Sequence, residues 1–140
     1  MTTENRELIH WIPGFETGHP ELDAQHREII EKANEIAISG APDSSIAMRA
    51  CQELPLLIEK HGIAEDKVLA EIGYADAEQH SRTHTDMFGQ ACSISKECDK
   101  SCMTQATATC VPDWINIILD HFLRQDLLFK SLMEERLDGR

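Results

Sequence analysis

The chain has 140 residues, with 13 basic against 25 acidic side chains and a formal net charge of −12. That length suits one domain with a core shared by four helices. The charge argues against nucleic acid or anionic lipid as a main partner, and no apolar run approaches the roughly 18 residues of a spanning helix, so no membrane role is expected.

Residues 1–20 contain Trp11, Pro13, Gly14, Gly18 and Pro20 and read as an irregular arm. Helical periodicity begins at residue 21, where Leu22, His26, Ile29, Ile30, Ala33, Ile36 and Ala37 line one stripe to about residue 39. A second helix is expected over about 44–72, through Leu54, Leu57, Ile58, His61, Glu65, Val68, Leu69 and Ile72, with Pro55 either kinking it or marking a later start. Asp76 can cap a third helix over about 76–100, bearing His80, His84, Met87, Phe88 and Ala91. Thr104–Thr109 suits a loop. Pro112 then suits the first turn of a fourth helix, about 112–136, with stripe Trp114, Ile117, Ile118, His121, Leu128, Phe129 and Leu132. The fold class implied is all-α: an antiparallel up-down four-helix bundle preceded by an irregular N-terminal arm.

Polar residues interrupt these apolar stripes at chemically suggestive places. His61 and Glu65 form H-x-x-x-E, His80 and His84 form H-x-x-x-H, and His121 and Asp126 form H-x-x-x-x-D, with His26 upstream. Residues four apart share a helix face, about 5–6 Å between Cβ atoms, so the first two pairs can each grip one metal centre. A carboxylate on a core seam is costly unless paired or bound to metal. A single zinc takes four ligands and an iron–sulfur cluster wants thiolates, whereas mixed imidazole and carboxylate donors suit iron, or manganese.

The order and spacing of these motifs resemble the bacterial hemerythrins over nearly the whole chain. The matching run includes Trp11, Phe15, Gly18, E-L-D-A-Q-H from Glu21 to His26, Asn34, H-x-x-x-E, the Gly73-Tyr74 turn, H-x-x-x-H and H-x-x-x-x-D. The resemblance implies a single diiron domain over 1–140, holding two iron ions under an oxo or hydroxo bridge. It makes His26, His61, His80, His84 and His121 terminal ligands and Glu65 and Asp126 bridging ligands. One iron position is left open, and dioxygen is expected to bind there reversibly as hydroperoxide. Asp126 lies five residues after His121, about 140° around an ideal helix, so its bridging role rests on the resemblance alone.

Some positions depart from the family. Gly62 stands where phenylalanine often follows the histidine of H-x-x-x-E, which predicts a roomier, wetter site and faster autoxidation than in a carrier. Gly62, Leu69, Ile118 and Phe122 are the candidate dioxygen-pocket residues. Cys98 and Cys102, spaced i,i+4, read either as small buried residues or as redox thiols. Cys51, Cys92 and Cys110 bring the cysteines to five, an odd number, and the polar start MTTENRELIH resembles no signal peptide, so reduced thiols in the cytoplasm are expected.

The function expected is therefore non-enzymatic dioxygen binding, as a carrier or as an oxygen- or redox-sensing domain. A monomer is expected, with an output domain or signalling partner in the sensing case. The alternative is a diiron oxidase, or an enzyme reducing peroxide or nitric oxide on the same site.

Overall fold

Pro20 opens the first long helix at the position where a missing N–H costs nothing, and Glu21 and Asp23 place negative charge in its first turn. In the computed structural model, which describes residues 9–39, 45–101 and 106–138, this helix is α1 (Pro20–Ser39). It is followed by α2 (Ser45–Glu71) and α3 (Ala77–Ser101). The fourth rod is composite: α4 (Ala106–Asp120), a π turn (His121–Gln125), a 3-10 turn (Asp126–Phe129) and α5 (Lys130–Asp138). The described residues contain no strand. α1 packs on α2 and α4, and α3 packs on the same two neighbours, which closes a four-helix bundle.

One expectation about a helix start needs correction. α2 begins at Ser45, as expected, and runs through Pro55, so of the two readings of that proline the later start is excluded. α4 begins at Ala106, so Pro112 lies inside the helix rather than in its first turn, and 106–109 is helical rather than loop. An interior proline removes one backbone hydrogen bond, but the buried faces carrying Leu54 and Ile58 in α2, and Trp114 and Ile118 in α4, hold the helices regardless. Gly73 ends α2 as expected: its φ of +78° permits the left-handed cap, with Tyr74 N–H donating to Leu69 O (3.0 Å) and Gly73 N–H to Ala70 O (3.2 Å).

The core is split in two. One cluster includes Phe15, Ile29, Ile58, Met87, Ile118 and Phe122; the other holds Leu22, Val68, Leu69, Phe129 and Met133. Along α1 the chain passes Leu22, then His26, then Ile29; along α2 it passes Ile58, then His61 and Glu65, then Leu69. The order reverses from one helix to the next, as an up-down bundle requires, and a polar layer separates the two clusters. The arm folds along α1. Asn34 pairs both ways with the Ile9 backbone (3.1 and 2.8 Å), and Arg27 stacks on Trp11 at 3.8 Å. No described helix is long and apolar enough to cross a membrane.

Candidate metal centre

All seven residues singled out by spacing meet in the polar layer, and each is buried. They form two overlapping groups whose donor atoms lie within 4.8 Å of one another: Glu65, His80, His84, His121 and Asp126 in one, and His26, His61, Glu65 and Asp126 in the other. Glu65 and Asp126 belong to both. The first group therefore carries three imidazoles and the second two.

Asp126 reaches the site by a backbone device that regular periodicity does not anticipate. In the π turn the Asp126 N–H donates to the His121 carbonyl, an i→i+5 bond, and this wider turn brings the fifth residue back over the first. The sequence expectation that these two residues diverge by about 140° is thus corrected. The shift also corrects the last stripe. Asp126, Phe129 and Met133 turn inward, while Leu128, expected in the core, is 68% exposed.

The histidine rings are oriented from outside the cluster. His26 Nδ1–H donates to the Phe15 carbonyl (2.7 Å), His61 Nδ1–H to Gln25 Oε1 (2.8 Å) and His84 Nδ1–H to Asp66 Oδ1 (2.7 Å). With Nδ1 committed, each neutral ring presents the lone pair of Nε2 inward, which is how metal-bound histidines are commonly held. Nε2 of His80 and of His84 approach Glu65 Oε1 at 2.9 and 2.7 Å; Nε2 of His26, His80 and His121 approach the Asp126 oxygens at 3.1, 3.1 and 3.0 Å.

These atoms fit a cation better than they fit one another. Glu65 Oε2 and both Asp126 oxygens are buried without a hydrogen bond, although imidazole nitrogens stand close by. His26 Nε2 and His61 Nε2 face each other at 3.0 Å with no hydrogen to share when both rings are neutral. Buried carboxylates and converging lone pairs are costly until a positive charge joins them. In the metal-free chain protons take that role. Burial depresses His26, His80 and His121, but Asp126 and Glu65 outweigh it and lift them to about 9, about 9 and about 10. Burial, joined by repulsion from the neighbouring His26, pushes His61 below its ordinary value. Burial would raise Glu65 and Asp126, yet the surrounding imidazoles hold both below the usual carboxylate range.

No family model matches the chain. Three curated proteins are similar to it. Myohemerythrin of Theromyzon tessulatum is 26% identical over 86 residues, which is 61% of this chain and 68% of that protein. The hemerythrin-like proteins of Naegleria gruberi and Naegleria fowleri are each 23% identical over 133 residues, 95% of this chain and 100% of theirs. The chain is thus similar to hemerythrin-like proteins, at low identity. The likeness carries no restriction to bacterial hemerythrins, and the clustered donors make the polar layer a metal-binding site.

The four residues expected at the dioxygen pocket fall on both sides of the polar layer. Ile118 and Phe122 lie in one core cluster, and Leu69 lies in the other. Gly62 faces neither. A Cβ built on it would stand 3.2 Å from both Cβ and Cγ of His84, so the ring of His84 fills the space the missing side chain leaves. The room lies beside Gly62: a cleft of about 190 Å³ between α2 and α3, lined by residues including Asp66, Ser81, His84 and Phe88. Phe122 stacks on His26 at 3.8 Å and 16°, and Phe15 meets Phe122 edge-on at 5.9 Å, giving the two-imidazole side an aromatic wall.

Sequence reasoning left Gln25, Asp66, Ser81 and the Phe15 carbonyl without a role. Gln25 precedes a ligand candidate and Asp66 follows one, and that adjacency was the available signal. Their partners, across 36 and 18 residues, are visible only in the fold. The side chain of Cys98 and all of Cys102 lie outside the described residues, as does the side chain of Cys110. Cys51 is buried and Cys92 half-buried.

Proposed function

We propose that this chain holds a non-haem diiron centre, bridged by oxide or hydroxide, and binds dioxygen reversibly at it. The observation that carries the reading is the pair of donor groups sharing Glu65 and Asp126, one with three imidazoles and the other with two. Two metals of equal coordination demand, held by these groups, would leave the two-imidazole one a ligand short, and that shortage would be the opening for dioxygen. Five imidazoles and two carboxylates exceed what one zinc takes, and their mixed nitrogen and oxygen chemistry suits iron. A bound diiron centre supplies two electrons and an open coordination position.

The chain's own residues do the rest. Glu65 and Asp126 would hold the two metals in common and offset their charge, while Phe15, Gln25 and Asp66 hold three imidazoles with Nε2 inward. Phe122 and Phe15 keep water from the two-imidazole side and carry no acid or base, which favours binding over turnover, in a carrier or a sensing unit.

Reduced, iron-loaded protein exposed to air tests this. A visible charge-transfer band that appears with oxygen and disappears on its removal is expected. Direct conversion to a stable oxidised spectrum would turn the reading toward a redox sensor or a diiron enzyme. No iron-dependent band would overturn it.

A further inference from the structure

Asp66 follows Glu65 on α2, yet its carboxylate faces α3. Oδ1 accepts the Nδ1–H of His84 at 2.7 Å and Oδ2 accepts the Ser81 hydroxyl at 2.9 Å. Ser81 and His84 are three apart on α3 and share a face, so one carboxylate grips the ring and the helix that carries it. Gly62 lets that ring seat against α2. His84 is thereby fixed from three directions.

The acceptor's charge matters as much as its place. His26 donates to a backbone carbonyl and His61 to a side-chain amide, both neutral. Among the described hydrogen bonds, His84 is the ligand candidate whose Nδ1–H meets an anion outside the two shared carboxylates. Such a bond pushes electron density through the ring toward Nε2, strengthening it as a donor and favouring the more highly charged metal ion. His84 belongs to the three-imidazole group.

We infer that Asp66 is a positioning residue that orients His84 and makes the three-imidazole metal the more tightly held and the lower in potential of the pair. This rests on the diiron reading above. Asp66→Asn keeps the shape and an oxygen for the His84 N–H but removes the charge; Asp66→Ala removes both.

The test is release of iron from loaded protein to a chelator, with stepwise reduction potentials measured on the same samples. Wild type should release its two irons in two phases. Asp66→Asn should speed the slow phase by about 10–100-fold, leave the fast phase alone, and raise one of the two potentials. Unchanged release and unchanged potentials in both variants would overturn the ranking of the two metals. A wild-type chain holding fewer than two irons would overturn the diiron reading and the ranking with it. The orienting role has its own readout in metal-free protein. The His84 ring N–H, protected in wild type by nuclear magnetic resonance, should exchange rapidly in Asp66→Ala; protection retained there would overturn that role.

Discussion

Two glycines inside helices should respond to alanine in opposite ways. Gly89 on α3 is exposed, with nothing within 4 Å of a Cβ built on it, so Gly89→Ala should gain the full propensity difference of about 0.8–1 kcal/mol. Gly62 on α2 is buried, and its new Cβ would stand 3.2 Å from two carbons of His84, inside the optimum of about 3.5–4.0 Å. His84 has no easy retreat, because Nδ1 is held by Asp66 at 2.7 Å and Nε2 lies 2.7 Å from Glu65. Overpacking of this kind costs about 1–3 kcal/mol, which cancels or exceeds the propensity gain. The two variants should therefore differ by about 1–3 kcal/mol, or roughly 3–12 °C in melting temperature for a domain of this size. Thermal unfolding of the metal-free variants, followed by circular dichroism, measures this directly. A rise for Gly62→Ala as large as that for Gly89→Ala would refute the close seating of His84 against α2.

Removing the shared carboxylate separates site from scaffold: Glu65→Ala should remain helical yet lose iron, and full iron occupancy by metal analysis would refute its bridging role. Phe122→Ala should cost about 3–5 kcal/mol, because a buried ring stacked on His26 leaves a cavity; an unfolding midpoint unmoved from wild type would contradict that packing. Metal-free stability should depend on pH in a definite sense. The stabilisation carried by His26, His80 and His121 is complete below their ordinary value of 6.5 and is lost as pH rises through about 9 to about 10. That carried by Glu65 and Asp126, whose values are depressed, is present above 4.5 and 3.8 and is lost as pH falls below them. Those same imidazoles must shed their protons to bind metal, so loading at neutral pH should release protons, by calorimetry in buffers of different ionisation enthalpy. Loading with no proton release would contradict the raised values.

The bundle was legible because apolar stripes of regular period bury the same way in any helix, and six of the seven ligand candidates because each interrupts a stripe; Asp126 rested on the family resemblance. What escaped the sequence was irregular or long-range. Leu128 left its expected place in the core, and Asp126 reached the site that ideal helix periodicity denied it, because a π turn resets the phase of the fourth rod, and nothing local in H-F-L-R-Q announces it. Pro112 misled on a helix start because tertiary packing outweighed a local penalty. That the His84 ring, 22 residues away in sequence, seats against Gly62 was visible only in the fold. Asp66 had no visible role until the fold put His84 beside it.

The sharing of Glu65 and Asp126 between two iron ions is tested most directly by anaerobic titration of metal-free protein with ferrous ion, followed by iron analysis after desalting. Two irons retained per chain are predicted. Saturation at one iron, or none, would contradict a diiron centre.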